Sequence, residues 1–435
     1  MSALLVVPAF AQQRPGATER VSIASDGSQA NNPTIFPDAN RTPVISADGR
    51  FVAFQSRSTN LVLGDTNAAP DIFLHDSQAG VTTLVSVNSN GLQGNNTSFA
   101  PSVSGDGRFV AFMSAASNLV PGGDSNPTFD VFVRDRETGD TELVHVDSNG
   151  VQGNGFGLRP AITPDGRFVA FASLASNLVP NDNNGTVDHF VHDRQTGITE
   201  RVSVARDGTE GNGLSCCSSS ISADGRYVAY ASDASNLVIG DIGGFRDVFV
   251  HDRQTGVTTR LSVDSSGGDG LGLSTTPTIS ADGRFVAFTS VAPNLVPGDA
   301  GGLADIFVHD RQTGVTQKVT AGLRGAQTNG DNFFPTVSSD GRFIAFQSSA
   351  SNLVAHDTNE LADVFLHDRR TGRTKKVSTS SVHAQGNGDS LQPHLSAAGR
   401  FVVFESDATN LVDDDTNGER DIFVNEVAGP SQARR

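Results

Sequence analysis

The chain has 435 residues, with 48 Asp and Glu against 31 Lys and Arg, a formal net charge of −17, 37% hydrophobic and only 18% charged residues. That balance excludes a disordered chain, and it excludes a nucleic-acid partner, because a phosphate-binding groove is lined by clustered Lys and Arg. No run of 18 apolar residues occurs, so no membrane-spanning helix is expected.

In chain order, Leu4-Leu5-Val6-Val7 and then Ala9-Phe10-Ala11 form a short apolar run with a small-x-small site before Gln12. Residues 1–11 are read as a signal peptide whose basic start is cut short, with a frayed apolar tail as the alternative. Residues 12–18 then form a linker, 19–427 the folded body and 428–435 a tail. A periplasmic or secreted location follows from that reading.

The phrase Asp-Gly-Arg followed by an aromatic recurs down the body with minor variation. Its aromatic is Phe51, Phe109, Phe168, Tyr227, Phe285, Phe343 and Phe401, at intervals of 58, 59, 59, 58, 58 and 58 residues. Seven copies of a strand-rich unit of this length predict an all-β, seven-bladed β-propeller with four-stranded blades. In the first unit the strands are Pro43 to Ser46, Arg50 to Gln55, Asp71 to Asp76 and Val81 to Val87. Phe51-Val52-Ala53-Phe54 is apolar on both faces, as a strand buried between layers must be. Asp-Gly and Thr-Gly pairs mark the hairpin turns. The seventh unit stops after its third strand, Asp421 to Glu426, and text matching a fourth strand stands at Glu19 to Ala24. The N-terminal strand is therefore expected to complete the last blade and leave no open edge. A ring closed in this way needs no partner to protect it, so a monomer is expected.

Units reading Pro-x-Ile-Ser-x-Asp-Gly-Arg-Phe-Val-Ala-Phe-x-Ser, then Asp-Ile-Phe-Val-His-Asp, resemble the WD40-like PD40 repeats of the bacterial TolB-type β-propellers over residues 19–427. Two departures stand out. The Trp usual in the first strand of the repeat is Ile45, Val103 or Leu395, and no counterpart of TolB's α/β domain stands within these residues. The resemblance implies an envelope or secreted propeller with a binding role.

The long loop after each second strand reads Ser-Asn-Leu-Val-x-Gly-Asp-x-Asn-x-x-x-Asp, which gathers fourteen carboxylates on one face with few cations in the same loops. Two carboxylates and an Asn oxygen are hard ligands of the kind Ca²⁺ uses, although the spacing is not that of an EF-hand. The candidate ligands are Asp65, Asn67 and Asp71 in blade 1; Asp124, Asn126 and Asp130 in blade 2; Asp357, Asn359 and Asp363 in blade 6; and Asp415, Asn417 and Asp421 in blade 7. Blades 4 and 5 have Gly243 and Gly301 at the Asn position, and blade 3 keeps a similar composition in Asn181 to Asn184. The competing reading, placed slightly ahead, makes the first Asp and the Asn turn-formers and gives the last Asp the backbone N–H groups that start the third strand. The Gln-Gly-Asn loops at Gln93, Gln152 and Gln385 share this face.

His75, His192, His251, His309 and His367 recur at one repeat position and read as scaffold. A single active site has to break the seven-fold pattern, so His145, His189, His356, His383 and His394, with Cys216 and Cys217, are the better catalytic candidates. They form no local triad or metal motif. The adjacent cysteines read as free thiols, since neighbouring Cα atoms are closer than an unstrained disulfide allows.

Two functions therefore stand open. The first is a non-catalytic scaffold presenting an acidic face, with Ca²⁺ as its cofactor, to a protein or extracellular polymer. The second is a propeller enzyme, a glycan hydrolase or lyase, acting in the central pocket. The absence of Trp weighs against a sugar-stacking platform. A pocket lined by unlike polar residues from several blades would favour the enzyme.

Overall fold

The computed structural model describes residues 16–31 and 43–427, apart from 123, 125, 127, 216–218, 242 and 300. The proposed signal segment 1–11, the tail 428–435 and both cysteines lie outside the described residues.

Among the described residues, twenty-eight strands form seven four-stranded antiparallel sheets, and in all but the last blade the sheet runs from first to fourth strand in chain order. Blade 1 comprises Val44–Ile45, Phe51–Ser56, Asp71–Asp76 and Val81–Leu84. Its outer strand is shorter than expected, because the chain leaves the ladder after Leu84 to make the Val87–Gln93 bridge. The first strands of successive blades neighbour one another round the ring, and blade 7 returns to blade 1. Thr18–Arg20 pairs antiparallel with Asp421–Glu426, so the last blade is completed by the N-terminal strand. Among the described residues the only helical turn is Leu323–Gly325, and no helix is long and apolar enough to cross a membrane.

The repeated phrase has two mechanical jobs. Within a blade, the Arg of Asp-Gly-Arg makes a fork-to-fork pair with the Asp closing the third strand, as in Arg226 Nε and Nη2 to Asp252 at 2.7 Å each. Between blades, the aromatic lies flat on the Gly of the next copy. A Cβ at Gly225, which has φ +72°, would stand 2.2 Å from the Phe168 ring. Phe51 is also held between two guanidinium groups, Arg50 of its own blade at 4.6 Å and Arg136 of the next at 4.7 Å.

The core sits between blades rather than within them. Ile72, Leu74 and Val85 of blade 1 meet Val110, Phe112 and Leu119 of blade 2 in one buried cluster, which is why the second and third strands are apolar on both faces. Leu61 is 1% exposed and plugs the long loop of blade 1 onto the layer shared with blade 7, beside Phe54, Phe73 and Ile422, as its apolar character implies.

Candidate functional site

The acidic loops are built around the last Asp of each. Asp71 is fully buried at the start of the third strand. It accepts the Ser86 hydroxyl at 2.5 Å, and that hydroxyl in turn accepts the Ile72 N–H at 3.1 Å. The expectation that the last Asp takes backbone N–H groups directly is therefore corrected: a hydroxyl from beyond the fourth strand intervenes. Asn67 forms the expected turn, accepting the Ala69 N–H at 2.8 Å while its Nδ2 donates to Asp71 and to the Gly94 carbonyl, each at 2.9 Å. In blade 2, Asp124 likewise accepts the Asn126 N–H at 3.0 Å.

The expectation of few cations among these carboxylates also needs correction. The fourth strand, which the loop text does not contain, sends one basic side chain onto the pair in five blades. Arg20 Nη1 lies 2.9 Å from Asp415 and 3.3 Å from Asp421 in blade 7. Lys376 Nζ lies 2.7 Å from Asp357 and 2.6 Å from Asp363 in blade 6, and Lys318 Nζ lies 3.1 Å from Asp299 and 2.6 Å from Asp305 in blade 5. Arg201 serves Asp182, Asp188 and Glu210 in blade 3. These cations occupy equivalent registers, each paired across the ladder with the third-strand Phe: Phe190, Phe249, Phe307, Phe365 or Phe423.

Blade 4 gathers Asp241, Asp247 and Asp269, with carboxylate oxygens all within 4.8 Å of one another, a donor set that can hold a metal ion. Arg260 Nη1 lies 3.2, 3.6 and 2.9 Å from these three carboxylates. Burial pushes Asp247 up to about 7, and the guanidinium only partly offsets it.

In blades 1 and 2 the cation's register is taken by Leu84 and Leu143, opposite Phe73 and Phe132. There the Gln of the Gln-Gly-Asn loop bridges the pair instead. Gln93 Nε2 donates to Asp65 at 2.7 Å and Asp71 at 2.8 Å, and Gln152 donates to Asp124 and, at 3.0 Å, to Asp130. Burial raises Asp71 and Asp124 to about 6 each, since a neutral amide stabilises a carboxylate less than a cation does. So of the four blades proposed to hold Ca²⁺, blades 6 and 7 carry a cation of their own on the pair, and blades 1 and 2 carry an amide.

A second site lies on the axis. In blades 2, 3, 5, 6 and 7 the first strand bulges at a residue with positive φ before a proline: Ala100 (50°), Arg159 (48°), Thr276 (48°), Phe334 (53°) and Gln392 (50°). Left-handed backbone before proline is a strained conformation for a residue with a side chain. The backbone repeats round the axis, but the side chains it presents do not. Ala100, Arg159, Thr276 and Phe334 line a chamber of about 190 Å³, which meets a second of about 210 Å³ at a ring including Ser102, Ala161, Ser220 and His394.

The walls of this passage hold a set of orphaned polar atoms. Arg159 Nη1, Ser219 Oγ, Thr336 Oγ1 and His394 Nδ1 are buried without a hydrogen-bond partner. Native interiors leave few such groups, so a cluster from four blades at one cavity is a place where water or a ligand can be held. Burial pushes His394 down to about 4, so its imidazole is neutral at pH 7. Among the described residues lining the first chamber none is Asp or Glu, and Arg159 is the one permanent cation.

Of the repeat-breaking histidines, the structure brings only His394 to the axis. His145 is buried on Asp130 and Ser173 Oγ, the latter at 2.8 Å. His189 packs on Tyr230 at 5.2 Å. His356 and His383 sit at positive φ in loops. The recurrent histidines are scaffold, each bonding the fourth-strand Thr as His75 does with Thr82 at 2.9 Å. Arg159 was missed by sequence reasoning. The available signal was the residue before each first-strand proline, which varies while its surroundings repeat.

No protein-family model matches the chain, and no curated protein matches it. Solved structures share its fold. An oligogalacturonate lyase from Vibrio parahaemolyticus is 14% identical, with 95% of this chain and 99% of that one covered and a TM-score of 0.52. The β-propeller domain of the Trilobed protease from Pyrococcus furiosus is 11% identical over 88% of this chain and 93% of that one, at 0.54. TolB from Acinetobacter baumannii is 16% identical over 90% and 86%, at 0.41. At these identities the likeness is one of fold alone.

Proposed function

We propose that the protein works through its axial passage, as a propeller enzyme of the glycan lyase class acting outside the cytoplasm on a small acidic saccharide. The observation that carries the reading is the cluster of orphaned polar atoms at the axis, drawn from different blades and unlike in chemistry. Lyase chemistry suits this wall better than hydrolysis. A glycan hydrolase works with a pair of carboxyl groups, and the described wall offers none. A lyase takes the proton from the carbon beside a uronate carboxylate, forms a C=C bond and expels the glycosidic oxygen from the next carbon. That reaction needs a fixed cation to hold the carboxylate and a neutral base. Arg159, which keeps its charge at any working pH, would supply the first. His394 would supply the second, with its basicity raised by the bound anion from the low value that burial gives it. Each chamber is smaller than the roughly 300–1,000 Å³ of drug-sized pockets, so one end of a short chain is the expected occupant. The lyases of similar fold are compatible with this reading.

The test is incubation of the folded chain with uronate oligosaccharides, followed by the ultraviolet absorbance of the unsaturated product. Activity that falls about 10²-fold or more in His394→Ala, and is lost in Arg159→Met with the fold intact by circular dichroism, is the expected result. Binding of acidic saccharides that depends on Arg159 but yields no product would move the protein to the second reading, a binding scaffold. That reading is favoured by the resemblance of residues 19–427 to the TolB-type repeats. No binding and no product would overturn both uses of the axis for this ligand class.

A further inference from the structure

The seven carboxylate pairs are seven versions of one design in a single chain, so each blade serves as a control for the others. In blades 5 and 6 the lysine ammonium is held by the pair and by the Gln oxygen, with Lys318 Nζ 2.7 Å from Gln327 Oε1 and Lys376 Nζ 2.9 Å from Gln385 Oε1. The Gln amide nitrogen then turns away to a backbone carbonyl, Gly298 at 2.9 Å or His356 at 2.7 Å. The slot presents oxygens from three side chains to a cation. In blade 1 the same Asp, Asp and Gln are present, but Leu84 stands where the lysine would be.

There Gln93 is reversed. Its Nε2 takes the ammonium's place between Asp65 and Asp71, and its Oε1 accepts the Thr66 N–H at 3.1 Å. An amide brings no charge, so two carboxylates share one pocket uncompensated. Asp65 is only 9% exposed, and its Oδ2 is buried with no hydrogen-bond partner. Like charges so placed repel, and an orphaned carboxylate oxygen costs free energy unless something positive meets it.

We infer that the blade 1 slot binds a hard divalent cation of the Ca²⁺ class, held by Asp65, Asp71 and the Gln93 side-chain oxygen. On binding, the Gln93 amide turns as that of Gln385 does, sending its nitrogen toward the Gly64 carbonyl. The lysines of blades 5 and 6 are the stand-in ions that mark the position. All-oxygen donors select Ca²⁺ or Mg²⁺ over softer metals, and two carboxylates match a double charge, with water completing the shell. The inference stays with blade 1. In blade 2 the His145 imidazole already lies on Asp130, and blades 3 to 7 supply Arg or Lys.

The test is calcium counting on the full chain after EDTA treatment and reloading, compared with Leu84→Lys, which gives blade 1 the cation of blade 6. The expected result is one ion fewer in Leu84→Lys, together with loss of the Ca²⁺-dependent rise in unfolding midpoint that the wild type shows. An unchanged count in that variant overturns the inference, as does a wild type that retains no Ca²⁺. Should Leu84→Lys not fold, Asp65→Asn decides in its place: one ion lost supports the site and an ion retained refutes it. Neither result bears on the axial passage, whose test uses saccharides and different residues.

Discussion

Gly225 shows how much a single residue of the repeated phrase carries. Its φ of +72° suits glycine, and a Cβ would collide with the Phe168 ring at 2.2 Å, so two separate penalties meet at one atom. Gly225→Ala is expected to cost about 1–3 kcal/mol, read as a lowered midpoint in thermal or denaturant unfolding. The neighbouring Arg226 acts through charge. Its fork holds the Asp252 carboxyl down to about 2. A carboxyl held below its unfolded value near 3.9 adds stability above that pH and loses it as pH falls through the folded value. Acid unfolding is therefore expected to steepen between about pH 4 and pH 2. Arg226→Gln should lower stability at neutral pH and flatten that window, and an unchanged acid limb in the variant would show that the pair contributes nothing. The phrase was legible because each of its members meets a fixed neighbour in nearly every copy. Arg159 was not, because the variable residue before the first-strand proline gains meaning only once the closed ring places it on the axis.

At the scale of the strand, the fourth position of the blade decides how the acidic loop is stabilised. Arg20 sits on Asp415 and Asp421 with all three side chains buried. Removing one member of a buried ion pair leaves an uncompensated charge, at a cost of about 3–5 kcal/mol. Arg20→Met is expected to lose stability on that order, whereas Glu19→Gln on the same strand should stay near wild type. The same strand closes the ring by pairing Thr18, Glu19 and Arg20 with Asn425, Val424 and Phe423. A chain starting at Ser25 would open the edge of blade 7. Its expected behaviour is concentration-dependent association in size-exclusion chromatography, since an unpaired edge recruits other strands, and an unshifted monomer peak would contradict it. The loop text showed the acids but not their counter-ions, because the cation comes from the next strand, 13 to 19 residues on in blades 5 and 6 and at the other end of the chain in blade 7, and is next to the pair only after the strands pair.

For the whole molecule, the ring makes two surfaces out of one repeat. Where blades meet, similar apolar residues face one another and the packing recurs round the ring, with local exceptions such as His189 on Tyr230. At the axis, seven first strands converge, and any difference among them is brought to one point. Arg159, Thr336 and His394 are spread over more than 230 residues of sequence and line one passage. A ligand bound there would touch several blades at once. Saturating ligand is therefore expected to raise the unfolding midpoint of the wild type and not of Arg159→Met, by the linkage of binding to the native state. An equal rise in both would place the ligand elsewhere.

The sequence by itself determined the class, the blade count, the strand order and the closure, because the repeat period, the turn residues and the two-faced apolar strands are local signals that recur with the same meaning. It also determined that the recurrent histidines are scaffold. Only the tertiary structure decided which acidic loops hold their own cation, since compensation depends on register across a ladder. It alone brought His394 and Arg159 into one passage, since convergence on an axis is a property of the closed ring and not of any unit within it.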